Sequence, residues 1–454
     1  MKAVDRAVRS FSRSFTLTLA LALAAPACHH EVAPAPKVSA APPAPPPVPR
    51  AHTTTECEMK TTRATPSASG EATVVGGDGK PHALYWTRLS AKTQPARGTL
   101  FYLAGGPISH MNYTDLAAAF QRVSFPQLDV VLYDYFGFNC SSPLQDTAAL
   151  GAQFPNLTMK AMAHDFIQLK RGLVGPEQKA FLMGGSHGAM LGAEIVRDYP
   201  TEIEKAVLFS GDTESGWLDD GWFRFDRLMT KLDAAHPGFA SGLHQLLESA
   251  AAGKLEITRN EKQVIVDRPT LEVALWLVFS LDSAAQAALP DLVKSAEKGE
   301  RKWIAGIYGA ALALLEPVTA ASPPTEVSVV TNFHRCNVWF PKSARSQRSE
   351  APAQPAQFFR HDSFVHYWNT LCKDYDVLGE SPWRAGAAPP ASVPVLTWVG
   401  DQDTFDPETT HSRWSALSSN VSFQVMEGWS HDFGPKTSAG FMRAAELVKT
   451  FCAP

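Results

Sequence analysis

Gly184-Gly185-Ser186-His187-Gly188 sets a serine among glycines, with the apolar run Lys179 to Met183 before it and a helix-spaced stretch, His187 to Tyr199, after it. A strand that turns sharply into a helix at a serine lifts the hydroxyl above the sheet, at the positive end of the helix. That is where a nucleophile for acyl transfer has to stand. A serine hydroxyl also needs a base, and a group that orients the base. His187 starts the helix and is poorly aimed at its neighbour's hydroxyl. Gly428-Trp429-Ser430-His431 follows the apolar strand Val421 to Met426, which makes His431 the candidate base. The segment from Gly400 to Pro407 follows the strand ending at Val399 and offers three carboxylates, Asp401, Asp403 and Asp406. The oxyanion formed by attack needs preorganised donors. The His187 N–H is one candidate, and the turn Gly105-Gly106-Pro107, after the apolar run Thr99 to Ala104, supplies the other from Gly105 or Gly106.

These residues sit at the ends of predicted strands. Ala72 to Val75 and His82 to Leu89 flank Gly76-Gly77-Asp78-Gly79, a strong hairpin turn. Leu128 to Tyr133, Lys205 to Ser210 and Pro394 to Val399 are further apolar runs, and Met159 to Val174 and Ser438 to Phe451 have helical spacing. Continuous apolar runs mark strands buried on both faces. Joined by helices, they predict an α/β class with a mostly parallel central sheet.

Composition limits the alternatives. The chain has 454 residues, 41 basic and 45 acidic side chains and a net charge of −4. That balance argues against a nucleic-acid partner. The six cysteines are too few for a scaffold built on disulfides. No Cys/His cluster has metal-ligand spacing, and no cofactor is expected. A cysteine nucleophile is not expected while Ser186 occupies the turn.

The order of the motifs carries a family resemblance. Ala104-Gly105-Gly106-Pro107, the segment Asp134 to Pro143 (DYFGFNCSSP) and Gly184 to Gly188 resemble HGGPG, DQRGxGxSxP and GGSWG. Those three motifs belong to the proline iminopeptidases and tripeptidyl aminopeptidases, a group with the α/β-hydrolase fold. The resemblance runs from about Thr99 to His431. Ala104 stands where the family has His, Ile108 where it has Gly, Tyr135-Phe136 where it has Gln-Arg, and Asn139 where it has Gly. The family pattern G-x-x-D-x-x-x-P selects Asp403 as the acid and leaves Asp401 and Asp406 as turn formers. The resemblance implies removal of residues from a free peptide N-terminus, with cap carboxylates anchoring the amine; Glu214, Asp219 and Asp220 are the candidates. It also implies a cap disulfide between Cys336 and Cys372. An esterase or other small-molecule acyl hydrolase is the alternative, because amide and ester hydrolysis use the same triad.

The chain then divides as residues 53–211 and 390–454 for the hydrolase core and 212–389 for a large, mainly helical cap. The cap segment holds Trp217, Trp222, Trp276, Trp303, Trp339, Trp368 and Trp383, expected chiefly as packing residues. Leu271 to Leu281 and Trp303 to Leu315 read as helices, and Lys342 to Gln357 as a polar loop. A cap of this size favours a short peptide or small ester over a folded protein. Residues 1–28 read as an export signal, with Lys2, Arg6, Arg9 and Arg13 ahead of the apolar run Phe15 to Ala25. Cys28 directly follows Ala25-Pro26-Ala27 and resembles the lipid-bearing cysteine of bacterial lipoproteins. Residues 29–52 form a Pro/Ala-rich tether. The expected location is the bacterial cell envelope, with the membrane as a partner through the lipid. The alternative is cleavage after Ala27 and a periplasmic or secreted protein.

Overall fold

In the computed structural model the described residues are 66–106, 113–138, 140–141, 147–213, 217–259, 261–279, 283–315, 330, 332–339, 358–359, 361–373, 375, 390–403, 405–431 and 438–453. The signal and tether with Cys28, the residues Pro107, Ile108, Asn139, Glu214 and Trp383, and the Lys342 to Gln357 stretch lie outside them.

Among the described residues eight strands form one sheet in the order β1-β2-β4-β3-β5-β6-β9-β10. They are β1 (Ala68–Val75), β2 (Pro81–Leu89), β3 (Gly98–Leu103), β4 (Leu128–Tyr133), β5 (Ala180–Gly185), β6 (Ile203–Phe209), β9 (Val395–Gly400) and β10 (Val421–Met426). β2 pairs antiparallel with β1 and with β4. Every other pair in this sheet is parallel. β3, β5 and β9 are buried at every position, which is why their sequences are unbroken apolar runs. β10 closes one edge and is half exposed. β1 starts at Ala68, four residues before the run that marks it in the sequence. Pairing from Ala68↔Arg88 to Val75↔Pro81 holds Ser69 and Gly70 in the sheet despite their weak strand preference.

The helices are α1 (Thr114–Ser124), α2 (Thr147–Leu157), α3 (Met159–Val174), α4 (His187–Asp198), α5 (Trp217–Ala235), α6 (Phe239–Ala251), α7 (Arg268–Phe279), α8 (Ser283–Glu297), α9 (Lys302–Leu315), α10 (His361–Cys372), α11 (Pro407–Leu417) and α12 (Ser438–Cys452). Alternation along β3 builds both faces of the sheet. Phe101 and Leu103 join the cluster that holds α3 and α4. Leu100 and Tyr102 join the cluster that holds α1 and α12. Burying each of these large side chains stabilises the fold by about 1.5–3 kcal/mol. The C-terminal end of α12 is tied to the sheet by Lys205 Nζ, which donates to the carbonyls of Phe451 (2.8 Å) and Ala453 (3.0 Å).

Between β6 and β9 lie α5 to α10 and a short hairpin, β7 (Glu256–Arg259) with β8 (Lys262–Ile265). The strands of this hairpin have only four residues each and are mostly exposed, so their sequences carry no apolar signal. Trp276, Trp303 and Trp368 are buried in the core of this region. A disulfide joins Cys336, in the single π-helical turn Arg335–Trp339, to Cys372 at the end of α10. Cys140 is also disulfide-bonded, and Cys452 is a free, buried thiol.

Candidate active site

Strand order decides where a site can form. From β3 the chain moves one way to β4 and then back past β3 to β5. The loops after β3 and β5 therefore leave the sheet in opposite senses and open a crevice at the strands' carboxyl ends. Gly105 and Ser186 sit on the two sides of that crevice.

Ser186 has φ 54° and ψ −123°, a left-handed backbone that a non-glycine residue rarely adopts. The turn is held by a bond from Ser186 N to the Phe209 carbonyl (3.0 Å). The N–H groups of Ala189 and Met190 bond the Ser186 carbonyl, so the His187 N–H lies ahead of the helical ladder. Ser186 precedes α4 as its N-cap, yet its side chain caps no backbone amide. Its hydroxyl is turned to His431 instead. A Cβ at Gly188 would stand 2.1 Å from the Leu103 carbonyl oxygen, so glycine there lets α4 press directly on β3.

Ser186 Oγ is 2.9 Å from His431 Nε2, and His431 Nδ1 is 3.0 Å from Asp403 Oδ1. A carboxylate only accepts, so the His431 proton sits on Nδ1, and Nε2 takes the Ser186 O–H. Asp403 is buried and His431 is half-buried. The three carboxylates after β9 have different partners. Asp401 Oδ1 accepts the Gly428 N–H (2.7 Å) and clasps the loop after β10. Asp406 caps α11 by accepting from Thr409 N (3.0 Å), with Pro407 at the first helical position. Asp403 alone meets the imidazole among these three.

Gly105 and Gly106 lie in the turn after β3, on the other side of the crevice from Ser186. A Cβ on Gly105 would stand 3.0 Å from the Tyr113 phenol oxygen, and the Gly106 backbone has φ 71°. Ala104 is fully buried, and its carbonyl accepts the Tyr135 hydroxyl (2.8 Å). Tyr135 and Phe136 are core residues here, where the resembling family has Gln-Arg. Ser141 Oγ donates back to the Asp134 carbonyl (2.7 Å). Glu214 lies outside the described residues. Asp219 and Asp220 fall on α5, but their side chains are not among those described.

Several contacts near the site come from residues that no sequence pattern marks. The buried His187 ring stands edge-on to Tyr135 (5.6 Å between centroids) and to His334 (4.7 Å). His334 Nδ1 donates to the Leu157 carbonyl (3.1 Å). Gln286, on α8, donates to the Gln402 carbonyl (3.2 Å) beside Asp403. Asp212, after β6, is buried against Arg413 (2.5 Å). Among the described residues no group of three or more His, Cys, Asp or Glu side chains is placed to hold a metal ion.

Burial pushes the His187 imidazole well below its ordinary range, helped by His334, and pushes His334 down to about 3. Both rings are thus neutral in the folded protein. The unfolded chain protonates them below about pH 6.5, while the folded chain does not, so acid favours unfolding. Stability should fall as pH drops from about 6.5 toward 3, by up to about 1.4 kcal/mol per pH unit for each histidine. Denaturant titrations at pH 7 and pH 4.5 should show a smaller loss in His334→Gln than in the unmodified protein. An equal loss in both would contradict a neutral His334.

The α/β-hydrolase-fold family model matches residues 98–258, the stretch that runs from β3 through the serine turn into the inserted helices. The sheet order, the elbow at Ser186 and this match decide the fold. The chain has the α/β-hydrolase fold. Among solved structures this chain is similar to the proline iminopeptidase of Mycobacterium smegmatis, at 19% identity and TM-score 0.41, over 84% of this chain and 98% of that one. It is similar to VinJ at 16% identity and TM-score 0.43, over 85% and 99%. It is also similar to the naproxen esterase of Bacillus subtilis at 14% identity and TM-score 0.42, over 88% and 95%. No curated protein matches it significantly in sequence. No helix among the described residues is long and apolar enough to cross a membrane.

Proposed function

We propose that this chain is an exported serine aminopeptidase that removes N-terminal residues or short peptides through an acyl-enzyme. The observation that carries the reading is the unbroken chain Ser186–His431–Asp403, with Ser186 on a strained elbow. His431 takes the Ser186 proton as Oγ attacks the scissile carbonyl. Asp403 holds the Nδ1–H tautomer and stabilises the imidazolium. The tetrahedral intermediate collapses as His431 gives the proton to the leaving amine. His431 then draws a proton from water, which attacks the acyl-enzyme and frees Ser186.

The peptide preference rests on the motif resemblance. One observation favours a second reading, an esterase or other small-molecule acyl hydrolase. Tyr135 and Phe136 are buried packing residues, so this loop departs from the family's polar pair. A substrate panel separates the two. Aminoacyl- and tripeptidyl-arylamides should be cleaved, and their N-acetylated forms should not. Equal cleavage of free and blocked termini would sink the exopeptidase reading, and ester turnover without amide turnover would favour the second.

Export and anchoring through Cys28 belong to the same proposal. Cys28→Ser should move the protein from the membrane fraction to the soluble one. Unchanged fractionation would count against the lipid.

A further inference from the structure

Tyr113 stands at the serine elbow without belonging to any catalytic pattern in the sequence. A Cβ at Gly105 would meet three groups: the Gly185 carbonyl oxygen at 2.9 Å, Tyr113 Oη at 3.0 Å and Ser186 Cβ at 3.5 Å. The bare face of Gly105 therefore keeps open a space with the nucleophile on one side and a phenol on the other. The Tyr113 ring is fixed there. It tilts against the buried Tyr102 ring at 5.5 Å between centroids, and it packs at the junction of the two core clusters. Its oxygen lies against the bare face of Gly105. Tyr113 is half-buried and precedes α1 without capping it, so its hydroxyl is not used by the helix.

We propose that the Tyr113 hydroxyl is an oxyanion donor that works opposite the His187 N–H. The proposal rests on the serine-hydrolase reading above. As the Ser186 Oγ–carbon bond forms, the carbonyl π pair moves onto oxygen, and the Ser186 proton passes to His431. The new oxyanion accepts hydrogen bonds from the His187 N–H and the Tyr113 O–H. No proton leaves Tyr113, and burial, which pushes its acidity well down, keeps it protonated throughout. When the C=O reforms and the leaving group departs with the His431 proton, the bond to Tyr113 weakens again.

The test is the second-order rate at which a fluorophosphonate probe modifies Ser186, since its P=O oxygen occupies the oxyanion position. Tyr113→Phe removes one oxygen and keeps the ring against Tyr102. Labelling should slow by about 10²-fold, while KM for a cleaved arylamide or ester stays within about twofold and kcat falls with the labelling rate. Tyr113→His, which keeps a ring and an N–H donor, should recover part of that loss. Labelling of Tyr113→Phe at the unmodified rate would overturn the proposal. So would equal losses in Tyr113→Phe and Tyr113→His, which would mark the effect as packing. Failure of the unmodified protein to label at Ser186 would be a failure of the serine-hydrolase reading itself, whatever Tyr113 does.

Discussion

Replacing His431 with alanine should lower kcat by about 10⁴- to 10⁶-fold, with KM little changed. A serine hydroxyl is not a nucleophile at neutral pH unless a base removes its proton during attack. His431 Nε2 is the base in reach, 2.9 Å from Oγ. The nearest other imidazole in sequence, His187, is buried beside Tyr135 and His334 and is held neutral by that burial. Its ring is turned into the core, so it does not substitute for His431. Residual turnover would come from the oxyanion donors and substrate binding alone. The fold should survive the substitution, because the His431 side chain is partly exposed (16%) and lies at a loop, with Phe405 5.5 Å away between ring centroids. Asp403→Asn should cost about 10⁴-fold by presenting the wrong tautomer to Ser186. Steady-state kinetics on whichever substrate the panel identifies, with a thermal melt of each variant, check both. A loss under tenfold for His431→Ala would remove His431 from the mechanism.

Gly400→Ala should destabilise the fold by about 3 kcal/mol or more and depress the activity of whatever remains folded. Gly400 is the last residue of β9, three residues before Asp403. A Cβ there would lie 1.9 Å from the Trp429 carbonyl oxygen and 2.4 Å from its carbon, both backbone atoms that a rotamer change cannot move aside. That same carbonyl accepts the Gln402 N–H at 2.9 Å. The loop that carries the acid and the loop that carries the base are therefore in backbone contact at one point. The Asp403–His431 bond spans the two loops, so separating them lengthens it. Denaturant unfolding should show the stability loss, and kcat per folded molecule should fall by about tenfold or more, since each lost 1.36 kcal/mol of transition-state stabilisation is tenfold in rate. Activity and stability at unmodified levels would mean that the loops relax freely.

Much of this arrangement is legible in the sequence, for physical reasons. A parallel sheet covered on both faces forces unbroken apolar runs, and β3, β5 and β9 show them. A strand-to-helix elbow forces glycines at fixed offsets from Ser186, because α4 lies directly on β3. The choice among Asp401, Asp403 and Asp406 is less local. Residue spacing leaves all three open, and only a family pattern singles out Asp403. Contacts across long separations leave no local signature. His334 reaches His187 from 147 positions away in the chain, and Gln286 reaches the Asp403 loop from another inserted helix. Tyr113 is hidden differently: it lies close to Gly105 in sequence, but only the folded turn brings its phenol against the elbow. The β7–β8 hairpin is invisible because four mostly exposed positions per strand need no apolar pattern.

If Ser186 is the nucleophile, a covalent adduct should map to it. The purified protein would be treated with diethyl p-nitrophenyl phosphate, digested, and read by mass spectrometry. One diethylphosphoryl group per chain should appear on the peptide containing Ser186, with loss of hydrolysis in step with its formation and no adduct in Ser186→Ala. An adduct on another residue, or hydrolysis that continues at full rate in Ser186→Ala, would contradict Ser186 as the nucleophile.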